Sequence, residues 1–92
     1  MGWPFEITIE AVWDLFLAQN RKCALSGLPL KFGSGNKGNA SLDRIDSTKG
    51  YTLGNVQWVD KDVNKMKMDL SQPYFIELCR RISALGTRIP PQ

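Results

Sequence analysis

From Thr8 onward, the apolar residues Ile9, Val12, Trp13, Phe16 and Leu17 recur at i, i+3, i+4, i+7 and i+8. This is the stripe of an amphipathic helix, with Thr8 placed to cap it and an end near Asn20. The next run, Leu25-Ser-Gly-Leu-Pro-Leu-Lys-Phe, reads as a turn and a short extended piece, and Gly33 to Asn39 as a flexible loop rich in glycine and asparagine. Two short strands are predicted, Ser41 to Ile45 and Val56 to Val59. The stretch Ser47 to Asn55 between them is too long for a tight two-residue turn, yet the strands can still pair antiparallel. From Asp60 the pattern becomes helical, with Val59, Val63, Met66 and Leu70 on a packing side and Asp60, Asn64 and Lys67 at i, i+4 and i+7 on a polar one. A third helix is expected from Ser71, with Pro73 in its first turn, a stripe of Phe75, Leu78, Cys79 and Ile82, and a stop at Gly86. The tail from Thr87 to Gln92 reads as loose.

The fold class this implies is α+β, a two-stranded antiparallel hairpin with its helix, flanked by an N-terminal and a C-terminal helix. No internal repeat or long linker divides the 92 residues, so residues 1–92 are read as a single domain near the lower size limit for an independent core. Trp13, Phe16, Trp58, Tyr74 and Phe75 are assigned to that core, and Met66 and Met68 need no functional role.

Composition excludes several classes. Hydrophobic residues make up 42% and charged residues 23%, as in ordinary globular proteins, and no apolar run approaches the roughly 20 residues that span a bilayer. The opening MGWPFEITIE carries two acids where a secretory leader needs a basic region, so a cytoplasmic location with no membrane partner is expected. Cys23 and Cys79 are expected to be free, small buried residues. The turn CALSG holds one thiol where a zinc knuckle holds two, so no structural zinc is expected. The net charge of +3 is uneven: residues 1–20 contain Glu6, Glu10 and Asp14 and no Lys or Arg, and all 12 basic residues follow. That bias suits a polyanionic partner, although an excess of lysines is as often only a solvated surface.

The segment SLDRIDSTKGYTLGNVQWVDKDVNKMK, Ser41 to Lys67, resembles the core of the HNH (ββα-metal, His-Me finger) endonucleases, in a subgroup common in phage and bacterial genomes. Such proteins place an Asp-His pair on the first strand, an Asn opening the second, and a His or Asn nine residues later on the helix, commonly with a Lys three beyond. Here Asp43-Arg44, Asn55, Asn64 and Lys67 stand in those places, and the nine-residue step is kept. The likeness runs from about Ile9 to Ile82 and includes the turn Arg21 to Leu30 before the first strand. Two features depart from it. Ser26, Asp60 and Val63 stand where zinc-bearing members have cysteines, so the knuckle is gone as a unit. Arg44 replaces the general-base histidine, and the chain has no histidine anywhere.

The resemblance implies hydrolysis of DNA, with Asp43 and Asn64 as hard oxygen ligands for Mg²⁺ or Mn²⁺ and Asn55 bracing the long loop. Asp43 is expected to face a polar cleft, so that Asp43→Ala removes metal and leaves the fold intact. Lys61, Lys65, Lys67, Arg80 and Arg81 are candidates for phosphate contacts on duplex DNA. Arg44 cannot deprotonate water, because a guanidinium has no acceptor, but it can clamp a phosphate oxygen. A base would have to come from Asp46, Asp60 or Tyr51, or from hydroxide held by the metal. Singly, each of these residues has an ordinary reading as a strand ion pair, a turn residue or an exposed helix position. Two further functions compete with hydrolysis: an inactive HNH-type module that binds DNA or regulates, and a protein-interaction domain without a nucleic-acid role.

Overall fold

The helix α1, Ile9–Ala18, starts where the sequence places it: Thr8 is extended, and its hydroxyl oxygen accepts from the Ala11 N–H at 3.1 Å. The structure, a computed structural model, describes residues 7–33 and 37–86. The centre of the glycine loop, 34–36, and the tail expected to be loose, 87–92, lie outside the described residues. After α1 the chain reverses through Asn20 and Arg21, both at positive φ, with the Arg21 N–H returning to the Phe16 carbonyl at 3.0 Å. Asn tolerates this left-handed turn at little cost. The following turn is closed by the Cys23 N–H on the Leu28 carbonyl at 2.8 Å, and Gly27 supplies its φ of 74°.

Strands β1, Ala40–Arg44, and β2, Val56–Asp60, form a two-stranded antiparallel hairpin with Asp43 opposite Gln57 and Arg44 opposite Val56. Each lies within a residue of its expected bounds. A short 3₁₀ turn, Leu53–Asn55, leads into β2. Directly after β2 comes α2, Lys61–Lys67, capped by Asp60, whose carboxylate accepts from the Asp62 and Val63 N–H groups. Seven residues are too few for a helix to stand alone in water, so α2 depends on its contacts with the hairpin. The last helix is α3, Gln72–Gly86. Among the described residues, no helix is long and apolar enough to cross a membrane.

The core is small. Phe16, Cys23, Leu30 and Val59 are buried together, with Leu25, Ala40, Trp58 and Val63 packed around them. The Trp58 indole donates to the Val12 carbonyl at 2.8 Å, and the Gln19 side chain bonds both the N–H and the carbonyl of Trp58, tying α1 to β2. Several sequence assignments shift here. Phe16 and Phe75 are buried as expected, but Trp13 is 44% exposed and Tyr74 54%. Met66, assigned to the packing side of α2, is 59% exposed, while Lys67 of the polar side is 1% exposed. Cys23 is buried and Cys79 half-buried, both unpaired. The stripe of α3 is covered over its first half: Phe75 is buried and Leu78 and Cys79 half-buried, whereas Ile82 and Leu85 are exposed, because the helix runs on past a body only two strands wide.

Candidate functional site

Two rungs connect α2 to β1. Asn64 and Lys67 are three residues apart on the helix, which puts them on one face about 5–6 Å apart. Ser41 and Asp43 are two apart on the strand, pointing to the same side at about 6.6 Å spacing. The spacings match, and the rungs form: the Asn64 amide donates to the Ser41 hydroxyl at 2.7 Å, and the Lys67 ammonium to Asp43 Oδ2 at 2.7 Å. Lys67 Nζ also donates to the Arg44 carbonyl at 2.8 Å and to the Ile45 carbonyl at 3.4 Å.

This geometry corrects two expectations. Lys67 is not a surface phosphate contact, since its three donor directions are taken and it is sealed from solvent. Asp43 does not stand in an open cleft: it is 6% exposed and is one half of a buried ion pair, so alanine there would strand the Lys67 charge.

A second donor reaches the same carboxylate oxygen. Gln57, opposite Asp43 in the hairpin, donates from Nε2 to Asp43 Oδ2 at 3.0 Å and to Gln72 Oε1 at 2.7 Å. The sequence reading passed over Gln57 and Gln72, although the pairing of Asp43 with Gln57 follows once the strands are in register.

One oxygen of each candidate ligand remains open. Asp43 Oδ1 and Asn64 Oδ1 accept no side-chain hydrogen bond from the described residues, while Asp43 Oδ2 and Asn64 Nδ2 are tethered. No enclosed side-chain oxygen or nitrogen among the described residues lacks a partner, so both open oxygens face solvent. Two hard oxygens with room for water suit Mg²⁺ or Mn²⁺ in kind. The Lys67 ammonium cancels the Asp43 charge, so the attraction for a cation is weak without a further anion.

The remaining residues surround this pair. Asn55 is the brace expected of it: Nδ2 donates to the Asp46 and Gly50 carbonyls, and Oδ1 accepts from the Asp46 N–H, closing the loop that follows β1. Strand alternation sends Arg44 to the side opposite Asp43. Its guanidinium donates to the Lys49 carbonyl at 3.1 Å and lies 5.3 Å from the centre of the Tyr51 ring. Lys65 is exposed and Lys61 half-buried on α2. Arg80 and Arg81 are exposed on α3, both bonded to Glu77.

Both carboxylates named as alternative bases are engaged. The Thr48 hydroxyl and N–H hold the Asp46 carboxyl below the usual range, helped by Lys49 and Lys67 against burial. The Asn39 amide holds Asp60 down likewise, with the Asp62 and Val63 N–H groups and Lys61 adding to it against burial. A carboxylate with a lowered pKa is a weaker base at neutral pH.

The positions that resemble a lost zinc knuckle do come together. The Cys23 sulfur accepts from the Ser26 N–H at 3.3 Å, the Asp60 backbone lies near enough to help lower the thiol pKa against burial, and Val63 packs on the cluster that holds Cys23. The chain matches no family model, and no curated protein or solved structure matches it.

Proposed function

We propose that this chain is an HNH-type DNA endonuclease or nicking enzyme that depends on a divalent metal and acts in the cytoplasm. The observation that carries the reading is the pair of open oxygens, Asp43 Oδ1 and Asn64 Oδ1, on one face of the hairpin–helix unit with their companion atoms tethered. The convergence of Cys23, Ser26, Asp60 and Val63 supports it, because those positions have no reason in a generic hairpin to meet.

In this reading Asp43 and Asn64 would hold Mg²⁺ or Mn²⁺, which when bound supplies positive charge for the phosphorane-like transition state and the departing oxygen. Lys67 orients Asp43 and neutralises it, which makes tight binding conditional on the phosphate of duplex DNA. Asn55 keeps the 46–50 loop closed beside the strand end. Lys61 and Lys65, with Arg80 and Arg81, add phosphate contacts that do not read sequence.

A second reading is favoured by one specific observation. Arg44 has no acceptor, and Asp46 and Asp60 are both engaged and hold low proton affinity. That set suits an inactive HNH-type module that binds DNA.

A supercoiled-plasmid assay with Mg²⁺, Mn²⁺ or EDTA separates the two. Nicking that EDTA and Asp43→Asn both abolish is the expected result. Asparagine is preferred to alanine: the Lys67 and Gln57 donors hold its carbonyl in the Oδ2 place and leave an NH₂ group, which cannot bind a cation, where Oδ1 was. Because it too leaves the Lys67 charge unpaired, the assay is run at a temperature where circular dichroism shows the variant folded. Salt-dependent duplex binding without nicking would support the second reading, and neither activity would leave a protein-interaction domain.

A further inference from the structure

We infer that Gln57 and Gln72 are positioning residues that set the rotation of the Asp43 carboxylate, which makes the first turn of α3 part of the candidate metal site. The inference rests on the reading of Asp43 as a cation ligand. Gln57 is 7% exposed in β2, between the buried Val56 and half-buried Trp58. An apolar residue there would satisfy a strand, and a buried amide is costly unless hydrogen-bonded. Both Nε2 protons of Gln57 are used, one on Asp43 Oδ2 and one on Gln72 Oε1.

The roles of the two donors to Asp43 differ. An ammonium is a point donor that leaves an aspartate free to turn about its last torsion, which is broad and roughly two-fold. A second donor on the same oxygen removes that freedom and directs Oδ1 to solvent. Gln72 determines which end of the Gln57 amide does this. With the amide reversed, Gln57 Oε1 would face Asp43 Oδ2 and Gln72 Oε1, three acceptors together. Gln72 is half-buried at the start of α3, and Phe75, one turn on, is the buried anchor of that helix. The packing of α3 therefore places Gln72 beside Gln57, and Gln72 Oε1 takes the proton that Asp43 does not.

The test is a titration of the full chain with Mn²⁺ alone, carried to millimolar concentrations because the Lys67 ammonium offsets the Asp43 charge, read from the electron paramagnetic resonance signal of free Mn²⁺, at a temperature where circular dichroism shows every variant folded. Gln57→Met should weaken Mn²⁺ affinity about tenfold or more, the usual effect of losing an outer-shell partner. Gln72→Met should weaken it less, and Gln57→Met/Gln72→Met should bind no more weakly than Gln57→Met alone, since Gln72 acts through Gln57. If Asp43→Asn loses Mn²⁺ while Gln57→Met keeps full affinity and only melts lower, the two glutamines are structural and the inference is overturned with the metal site intact. If the parent chain binds no Mn²⁺, or Asp43→Asn binds it as well as the parent, the site itself falls and the inference with it.

Discussion

Replacing Lys67 by methionine tests the centre of this arrangement, because it keeps most of the side chain's length and removes only the charge and its donors. Asp43 would remain 6% exposed with one donor, Gln57, in place of two, and the Arg44 carbonyl would lose a 2.8 Å bond. Breaking a buried ion pair by removing one partner costs about 3–5 kcal/mol, most of it the penalty of the stranded charge. A chain of 92 residues has roughly 5–14 kcal/mol of total stability at typical values per residue. The variant should therefore melt at least about 12 °C below the parent, since 1 kcal/mol moves the midpoint of a domain this size by about 4–8 °C. Asp43→Asn/Lys67→Met should recover most of the loss, because no charge is left unpaired. Thermal melting followed by circular dichroism reads both variants, with urea unfolding as a check that the m-value is unchanged. At a temperature where Lys67→Met is folded, the salt dependence of duplex binding should match the parent, in contrast to the loss of about one phosphate contact expected for a surface lysine. A melting point within about 3 °C of the parent would refute the reasoning, since so small a shift leaves under about 1 kcal/mol for a pair that the geometry seals.

Three other outcomes are expected. Arg44→His should leave metal-dependent nicking unchanged in a folded variant, because strand alternation puts position 44 on the side of β1 opposite Asp43; a rise, by up to the roughly 10²- to 10⁴-fold of a positioned general base, would show that position 44 reaches the attacking water, and a fall would show that Arg44 clamps the phosphate. Asn55→Asp puts a carboxylate oxygen against the Asp46 and Gly50 carbonyls where Nδ2 now donates, and should cost about 2 kcal/mol or more in urea unfolding; a cost under about 0.5 kcal/mol would mean that the loop stands without its brace. The Asp60 carboxyl is held low in the folded state, so its contribution is complete above the unfolded value near 4 and is lost as pH falls through the folded value. Asp60→Asn should thus be less stable at pH 7 yet decline less steeply in acid, and parallel decline of the two proteins would contradict the assignment.

The hairpin and helices were legible because their signals are local. Thr8 caps, Asp60 caps, and Val56, Trp58 and Val59 are strand-forming residues that follow directly on a turn, so the elements appear within a residue or two of where the sequence puts them. What periodicity cannot give is which face of a short helix turns inward. Asp60, Asn64 and Lys67 form a polar stripe on α2, and such stripes ordinarily meet water. Here the stripe meets β1, because Ser41 and Asp43 offer it partners at matching spacing, and Met66 is turned out in consequence.

The same reasoning explains why Gln57 escaped notice while Asn55 did not. Asn55 was singled out by the resemblance, and its side chain bonds only backbone of the nearby residues 46 and 50, an ordinary turn device beside a glycine. Gln57 bonds across the hairpin and on to α3, so its role depends on strand register. The Ile45 N–H bonded to the Asn55 carbonyl sets that register: with 45 facing 55, Asp43 must face Gln57. A single residue slipped in the loop would send Gln57 to the other face of the sheet, away from Asp43, and would separate the carboxylate from its second donor. The brace at Asn55 therefore acts on the candidate site twice, by closing the loop and by fixing which residue of β2 meets Asp43.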